Sequence, residues 1–326
     1  MISLDSLSFV GKGLSRPECV LCTASGHLFT ADWRGGVAVT HPQGGSTLIV
    51  PDGDPWLKPN GIALMPDGTF LVTHLGETEG GVYRMESSGV VSDFLLEVEG
   101  QPLPPTNYVH LDTNGRVWIT VSTRQIPRQK AQHPNHADGF IVLVDSRGAR
   151  VVADELGYTN ECLVAPSGEW LYVNETFTRK TTRFRIDAKG ALYGKETVLE
   201  YGTGEFPDGL TFDEHGNLWI CCIISNRVLC VTPEGQREVL LEDYDADGVA
   251  VIEAAYQAGE LDAGSFSNIR PKVLRNISSL AFGGTDRRTA FLGCLQDDRI
   301  ASFPAPVAGA QPTHWNYRPE WYGVND

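Results

Sequence analysis

One short pattern recurs six times along this 326-residue chain. Glu18-Cys-Val-Leu-Cys, Asn60-Gly-Ile-Ala-Leu, Asn107-Tyr-Val-His-Leu, Asn160-Glu-Cys-Leu-Val, Asp208-Gly-Leu-Thr-Phe and Ser278-Ser-Leu-Ala-Phe each open an apolar run. Each run is followed by a tight turn and a second apolar run. The first positions are spaced by 42, 47, 53, 48 and 70 residues. A period near 40–50 residues with several strands per unit is the signature of a β-propeller. Five of the six first positions carry a carboxylate or a carboxamide. In a ring of repeats those positions face one another, and a ring of oxygen donors can hold a cation.

The second strands follow two-residue turns: Ser25-Gly26, Asp67-Gly68, Asn114-Gly115, Ser167-Gly168 and His215-Gly216. Glycine there supplies the positive φ that a short hairpin needs. Third strands read at Gly81–Arg84, Gly139–Val142, Thr182–Arg185 and Asn226–Leu229, and a weaker fourth strand follows, as at Val90–Phe94. The expectation is an all-β, six-bladed β-propeller occupying residues 1–326 as one domain. Its blades are expected at about 17–50, 59–98, 106–153, 158–200, 206–241 and 276–306. Leu7–Val10 is expected to pair with the last blade and close the ring, which removes open sheet edges. Two segments break the repeat. Residues 122–138 form a polar loop holding Arg124, Arg128, Lys130, His133 and His136; residues 243–270 contain a stretch of helical composition, Val249–Leu261.

Composition narrows the partners. With 41 acidic against 26 basic side chains the formal net charge is −15, which disfavours nucleic acid and anionic membrane surfaces. No apolar run approaches the length of a membrane span. Met1–Asp5 has neither the basic nor the apolar region of a signal peptide, and the seven cysteines are odd in number. Both features predict reduced thiols and a cytoplasmic location.

Arg16-Pro17-Glu18, Pro59–Ala63, Thr159-Asn160, Pro207–Leu210 and Leu280–Gly284 resemble the senescence marker protein (regucalcin) and gluconolactonase family, in register over nearly the whole chain. The resemblance implies a six-bladed propeller with one divalent cation in its central channel, Ca²⁺ foremost and Mg²⁺, Mn²⁺ or Zn²⁺ as alternatives. It implies hydrolysis of a small lactone. By position, Glu18, Asn160 and Asp208 would be metal ligands, and Asn107 a fourth residue at the cation or its bound ligand. Asp208 would also be the catalytic base. Family members that act on sugar lactones carry an Arg where this chain has Pro105, a Glu at the position of Gln125, and commonly an Asp at the position of Tyr108. Sugar specificity is therefore not carried over. A less hydroxylated lactone or ester, including one bearing a carboxylate, is the expected substrate class. Asn60, His110, Arg124, Gln125, His133, His136 and Trp33 are the candidate substrate-binding residues, and His110 and His74 are rival bases.

Other readings stand beside these. Asn and Asp also cap turns, so any one of the four oxygen donors alone has a structural reading; four at equivalent repeat positions favour a site. Cys19 and Cys22 are read as core residues, because no second cysteine pair stands at zinc spacing. Asp243–Gly248 begins like an EF-hand loop, but Ala254 stands where the bidentate Glu belongs, so a solvated acidic loop is expected. Trp118, Trp170 and Trp219 read as blade packing. No Gly-x-Ser-x-Gly elbow is present. The rival functions are another metal-dependent ester or phosphotriester hydrolase on the same site, and a non-catalytic calcium- or ligand-binding propeller.

Overall fold

Short glycine turns join apolar runs into hairpins throughout the chain. Gly26, Gly68, Gly115, Gly168 and Gly216 all take φ between 74° and 84°. The computed structural model describes residues 1–53, 55–262 and 264–319. Six four-stranded antiparallel sheets result. Their first strands are Val20–Cys22, Pro59–Leu64, Thr106–Leu111, Thr159–Val164, Pro207–Phe212 and Ile277–Gly283. Each first strand touches the first strand of the next sheet, and the sixth touches the first. The protein is thus a six-bladed β-propeller whose first strands line a central channel.

Closure of the ring is heterogeneous in sequence. The last blade contributes only three strands, Ile277–Gly283, Thr289–Cys294 and Ile300–Pro304. Its fourth is Ser8–Val10 from the N-terminus, with Ser8 opposite Ser302 and Val10 opposite Ile300. This agrees with the pairing expected for Leu7–Val10.

Burial is graded across each blade. The first strand Pro59–Leu64 is wholly buried, whereas the fourth strand Leu192–Glu200 is mostly exposed. Apolar side chains form clusters in the sectors between blades. Phe29 and Phe70 join blades one and two, Trp118 and Leu171 join three and four, and Trp219 and Phe282 join five and six. All seven cysteines are free thiols, six of them buried, as core packing requires.

Two of the three repeated tryptophans share one device. Trp118 donates its indole N–H to Asp112 at 2.9 Å, and Trp219 to Asp213 at 3.0 Å. The same carboxylates accept the backbone N–H groups of the hairpin turn, from Asn114 and Arg116 in one case and His215 and Asn217 in the other. Trp170 is packed differently, between the guanidinium groups of Arg183 and Arg185.

The two interrupting segments meet on one end of the ring. The helix Ala246–Ala258 is capped by Asp245, which accepts from the Gly248 N–H, and stops at Gly259 with φ 71°. Its Val249, Ile252 and Tyr256 share an apolar cluster with Ala131 of the 122–138 loop and with Tyr158, Phe177 and Phe206. The acidic loop before the helix serves as an anchor. Asp243 accepts backbone N–H groups from Lys272, Val273 and Leu274.

On the other end a C-terminal strap crosses the channel. Ala308 accepts from the Glu214 N–H, the Ala310 N–H donates to Phe212, Thr313 donates to the Leu111 carbonyl, and Trp315 accepts from the Ala24 N–H.

Asp213 satisfies a fully buried indole and two turn amides, so Asp213→Ala leaves several buried donors unpaired. Each costs about 1–3 kcal/mol, and urea denaturation should show a loss of about 3 kcal/mol or more for this variant, with Asp112→Ala in the same range.

Candidate functional site

The first strands do not begin regularly. In blades two to six the pairing register slips at the strand start: between Pro59 and Ile62, Thr106 and Tyr108, Thr159 and Cys162, Pro207 and Leu210, and Ile277 and Ser279. Asn60, Asn107, Asn160, Asp208 and Ser278 each fall inside one of these irregularities. A bulge re-aims a side chain relative to simple alternation, and bulges concentrate beside functional sites. The approach to three of these strands is also unusual. Arg16, Tyr158 and Asn276, each two residues before Glu18, Asn160 and Ser278, take φ of 49°, 66° and 55°. Such left-handed backbone in a non-glycine residue stores strain.

Glycine brings the re-aimed side chains together. A Cβ on Gly61 would stand 2.7 Å from the Tyr108 Cα, and one on Gly209 would stand 2.5 Å from the Ser278 carbonyl. Their neighbours Asn60 and Asp208 are thereby held against the next blade. Asn60 reaches across to the Asn107 carbonyl at 3.1 Å, and to Glu18 Oε1 at 3.1 Å.

The amide orientations separate the asparagines. Asn60 spends both ends, since its Oδ1 accepts from Arg16 Nη1 at 2.8 Å. Asn160 donates its Nδ2 to Thr176 at 3.0 Å, which leaves its Oδ1 unpaired. Among the described residues, twelve buried side-chain N or O atoms lack a hydrogen bond. Four of them are Glu18 Oε2, Asn107 Oδ1, Asn160 Oδ1 and Asp208 Oδ1. Glu18 Oε2 does form an ion pair with Arg16. An unpaired buried polar group costs about 1–3 kcal/mol, so the three remaining oxygens, at equivalent repeat positions, form a costly arrangement unless something accepts their lone pairs. Two carboxylates and two carboxamide oxygens suit a hard divalent cation. Among the described residues no three His, Cys, Asp or Glu side chains form a metal-binding group, so this donor set depends on its asparagines.

The electrostatics agree with a site starved of positive charge. Burial holds the Asp208 carboxyl well above the usual range, and the charges of Glu18 and Glu161 add to that; Arg16 and Arg128 pull the other way. Burial likewise raises Glu161, against the hydrogen bond it accepts from the Leu210 N–H.

The remaining candidates fall elsewhere. Trp33 is partly exposed with the Arg16 guanidinium stacked on it at 4.3 Å. His110 lines a cavity of about 220 Å³ further along the channel, together with Tyr108, Glu161 and His314 of the strap. Burial pushes both His110 and His314 down to about 4. His74 accepts from the Lys58 N–H through Nδ1 at 3.0 Å, which occupies the lone pair a base would use. Arg124 forms a bidentate pair with Asp154 at 2.8 and 2.9 Å and stacks on Phe140. His133 and His136 stack edge to face within the 122–138 loop, and His136 pairs with Asp138. Gln125 is partly exposed and donates its backbone N–H to the Thr123 hydroxyl. The structure therefore brings together Glu18, Asn60, Asn107, Asn160 and Asp208, and adds Arg16 and Arg128.

Asp208 and Glu161 hold their protons more tightly folded than unfolded. In cation-free protein their contribution is full below the unfolded carboxylate range, near pH 4, and is lost as pH rises through the raised folded values. As pH rises above the unfolded carboxylate range, cation-free wild type should lose melting temperature more steeply than Asp208→Asn. Differential scanning calorimetry at rising pH checks it.

Comparison with known proteins gives the same fold and family. Residues 57–243 match the model of the SMP-30/gluconolactonase/LRE-like region. A 6-deoxy-6-sulfogluconolactonase of Pseudomonas putida is 27% identical over 252 residues, covering 76% of this chain and 72% of that one. A gluconolactonase of Xanthomonas campestris superposes with a TM-score of 0.68 at 18% identity, over 92% of this chain and 89% of that one. A calcium-binding protein, regucalcin, from Agrobacterium tumefaciens superposes with a TM-score of 0.66 at 17% identity, over 95% and 98%. The family match spans more than half of a chain whose propeller it also explains, and this protein belongs to the SMP-30/gluconolactonase/LRE-like family.

Proposed function

We propose that the protein is a divalent-metal-dependent lactonase, with the cation held by Glu18, Asn107, Asn160 and Asp208. The observation that carries this reading is the set of three buried oxygens without a partner, on Asn107, Asn160 and Asp208, at the same strand position as Glu18, whose Oε2 is held only by Arg16. Family membership and the lactonases among its relatives support the reaction class. Ca²⁺ fits an all-oxygen set of this kind best.

When bound, the cation polarises the lactone carbonyl and offsets the negative charge that develops on its oxygen. The chain's own residues do the rest. Asp208 would take a proton from the attacking water, in its ionised form. Water adds to the acyl carbon, the ring C–O bond breaks, and the proton passes to the departing alkoxide, giving a hydroxy acid. Asn60 is held by Glu18, Arg16 and the Asn107 carbonyl, so it fixes the geometry of the two oxygen donors beside it. The Ser278 and Ser279 hydroxyls both donate to the Glu18 carbonyl, which holds that residue from the opposite side. With Pro105 and Tyr108 in place of the groups that grip a sugar ring, we infer a substrate with fewer hydroxyl contacts than glucono-δ-lactone offers.

A proton-release assay on a lactone panel, with cation-stripped protein and added Ca²⁺, Mg²⁺, Mn²⁺ or Zn²⁺, tests the reading. Turnover should require a cation. Glu18→Ala and Asp208→Ala should each lower kcat/KM by about a thousandfold or more, and should lose calorimetric cation binding, while Asp208→Ala should melt no earlier than cation-free wild type. Wild-type turnover in either variant would remove that residue from the site. Cation binding without hydrolysis of any lactone would favour other ester chemistries, and then a binding role.

A further inference from the structure

Two guanidinium groups influence Asp208, and they are not equivalent. Arg16 is neutralised by a carboxylate: its Nη1 pairs with Glu18 and donates to Asn60, and its plane lies on Trp33. Arg128 is not. Only its Nε is used, donating to the Tyr158 hydroxyl at 2.7 Å, with the guanidinium 5.2 Å over the Tyr158 ring. Among the described residues its two terminal nitrogens have no hydrogen bond and no carboxylate partner. Most arginines of the described chain are paired with a carboxylate, including Arg124 of the same loop.

The anchor places Arg128 beside the site. Tyr158 stands two residues before Asn160, and its carbonyl accepts from the Thr176 N–H while the Thr176 hydroxyl accepts from Asn160. Arg128 itself begins the short turn Arg128–Ala131, whose Ala131 is buried in the cluster under the helix Ala246–Ala258. The guanidinium is therefore held from below by a ring and from behind by a packed loop. It is half-buried, with its forked end free, and its charge acts on Asp208.

Resting on the lactonase reading, we propose that Arg128 is a specificity-determining residue that binds an anionic substituent on the side arm of the lactone, through both terminal nitrogens. A planar fork matches two oxygens of a carboxylate or sulfonate, and partial burial strengthens such a pair. A neutral side arm would leave the guanidinium without a partner. The chain's net charge of −15 makes this local cation more consequential, because the rest of the molecule repels an anionic substrate.

The test uses three δ-lactones of one ring size whose side arm ends in hydroxymethyl, carboxylate or sulfonate. Cation-loaded wild type should prefer at least one charged lactone over the neutral one by about tenfold or more in kcat/KM. Arg128→Met should collapse that ratio, mainly through KM for the charged substrate. Arg128→Lys should keep part of it, and Tyr158→Phe, which removes the hydroxyl that anchors Arg128 and accepts from Gln132, should fall between. The carboxylate and sulfonate arms show which anion fits. Wild-type preference for the neutral lactone, or an unchanged ratio in Arg128→Met, overturns the proposal. If no lactone is hydrolysed with any cation, the lactonase reading fails and calorimetry decides this one. Wild type should then bind the ring-opened acid with a sulfonate arm about tenfold tighter than the one with a hydroxymethyl arm, and Arg128→Met should not; equal binding by wild type overturns it.

Discussion

Crowding at the ring axis is the constraint on which this structure depends. Six first strands must converge around one channel, and beside them there are places where no side chain fits between one blade and the next. A Cβ on Gly293 would stand 2.0 Å from the Glu18 carbonyl, closer than the corresponding approaches at Gly61 and Gly209. Real carbon atoms do not approach so closely, so glycine is required where one blade leans on the next. The gain is proximity. Asn60 reaches over to Glu18 and Asn107 because the Gly61 backbone beside it has nothing in the way.

That proximity concentrates negative charge. Glu18, Glu161 and Asp208 act on one another inside a chain already rich in acid, and burial deprives them of water. Arg16 relieves part of the repulsion, but its contacts go to Glu18 and Asn60. Asp208 is left with no ion pair among the described residues. The differing fates of the asparagines sharpen the picture: Asn60 spends its oxygen on Arg16, whereas Asn107 and Asn160 keep theirs free.

Much of the architecture was legible in the repeat. The hairpin glycines, the blade order and the closing strand at Ser8–Val10 all follow from periodicity and turn chemistry. The helix was legible from composition but its start was not, because Asp245 sets it at Ala246 rather than at the apolar Val249. The candidate site, as proposed, rests on four oxygen donors that stand at equivalent positions in the repeat. Its surroundings were not legible, for two reasons. Alternation along a strand fails where the register slips, and every first strand in blades two to six slips at the position of interest. Loop arginines also look alike in sequence. Arg124 and Arg128 are four residues apart, yet Asp154 neutralises one and only a phenol holds the other. The choice depends on a carboxylate thirty residues away in the outer strand of the blade.

The strap across the far end of the channel has a mechanical meaning. Closing strands link only neighbouring blades, so a propeller held by them alone can spring open at one seam. The stretch from Ala308 to Trp315 instead touches blades five, three and one in turn, and Gly309 is tied to Arg287 in the sixth. It acts as a hoop on a barrel. Splaying any one seam must first strip this segment from blades that are not adjacent, which couples the ends of the ring into a single unfolding event.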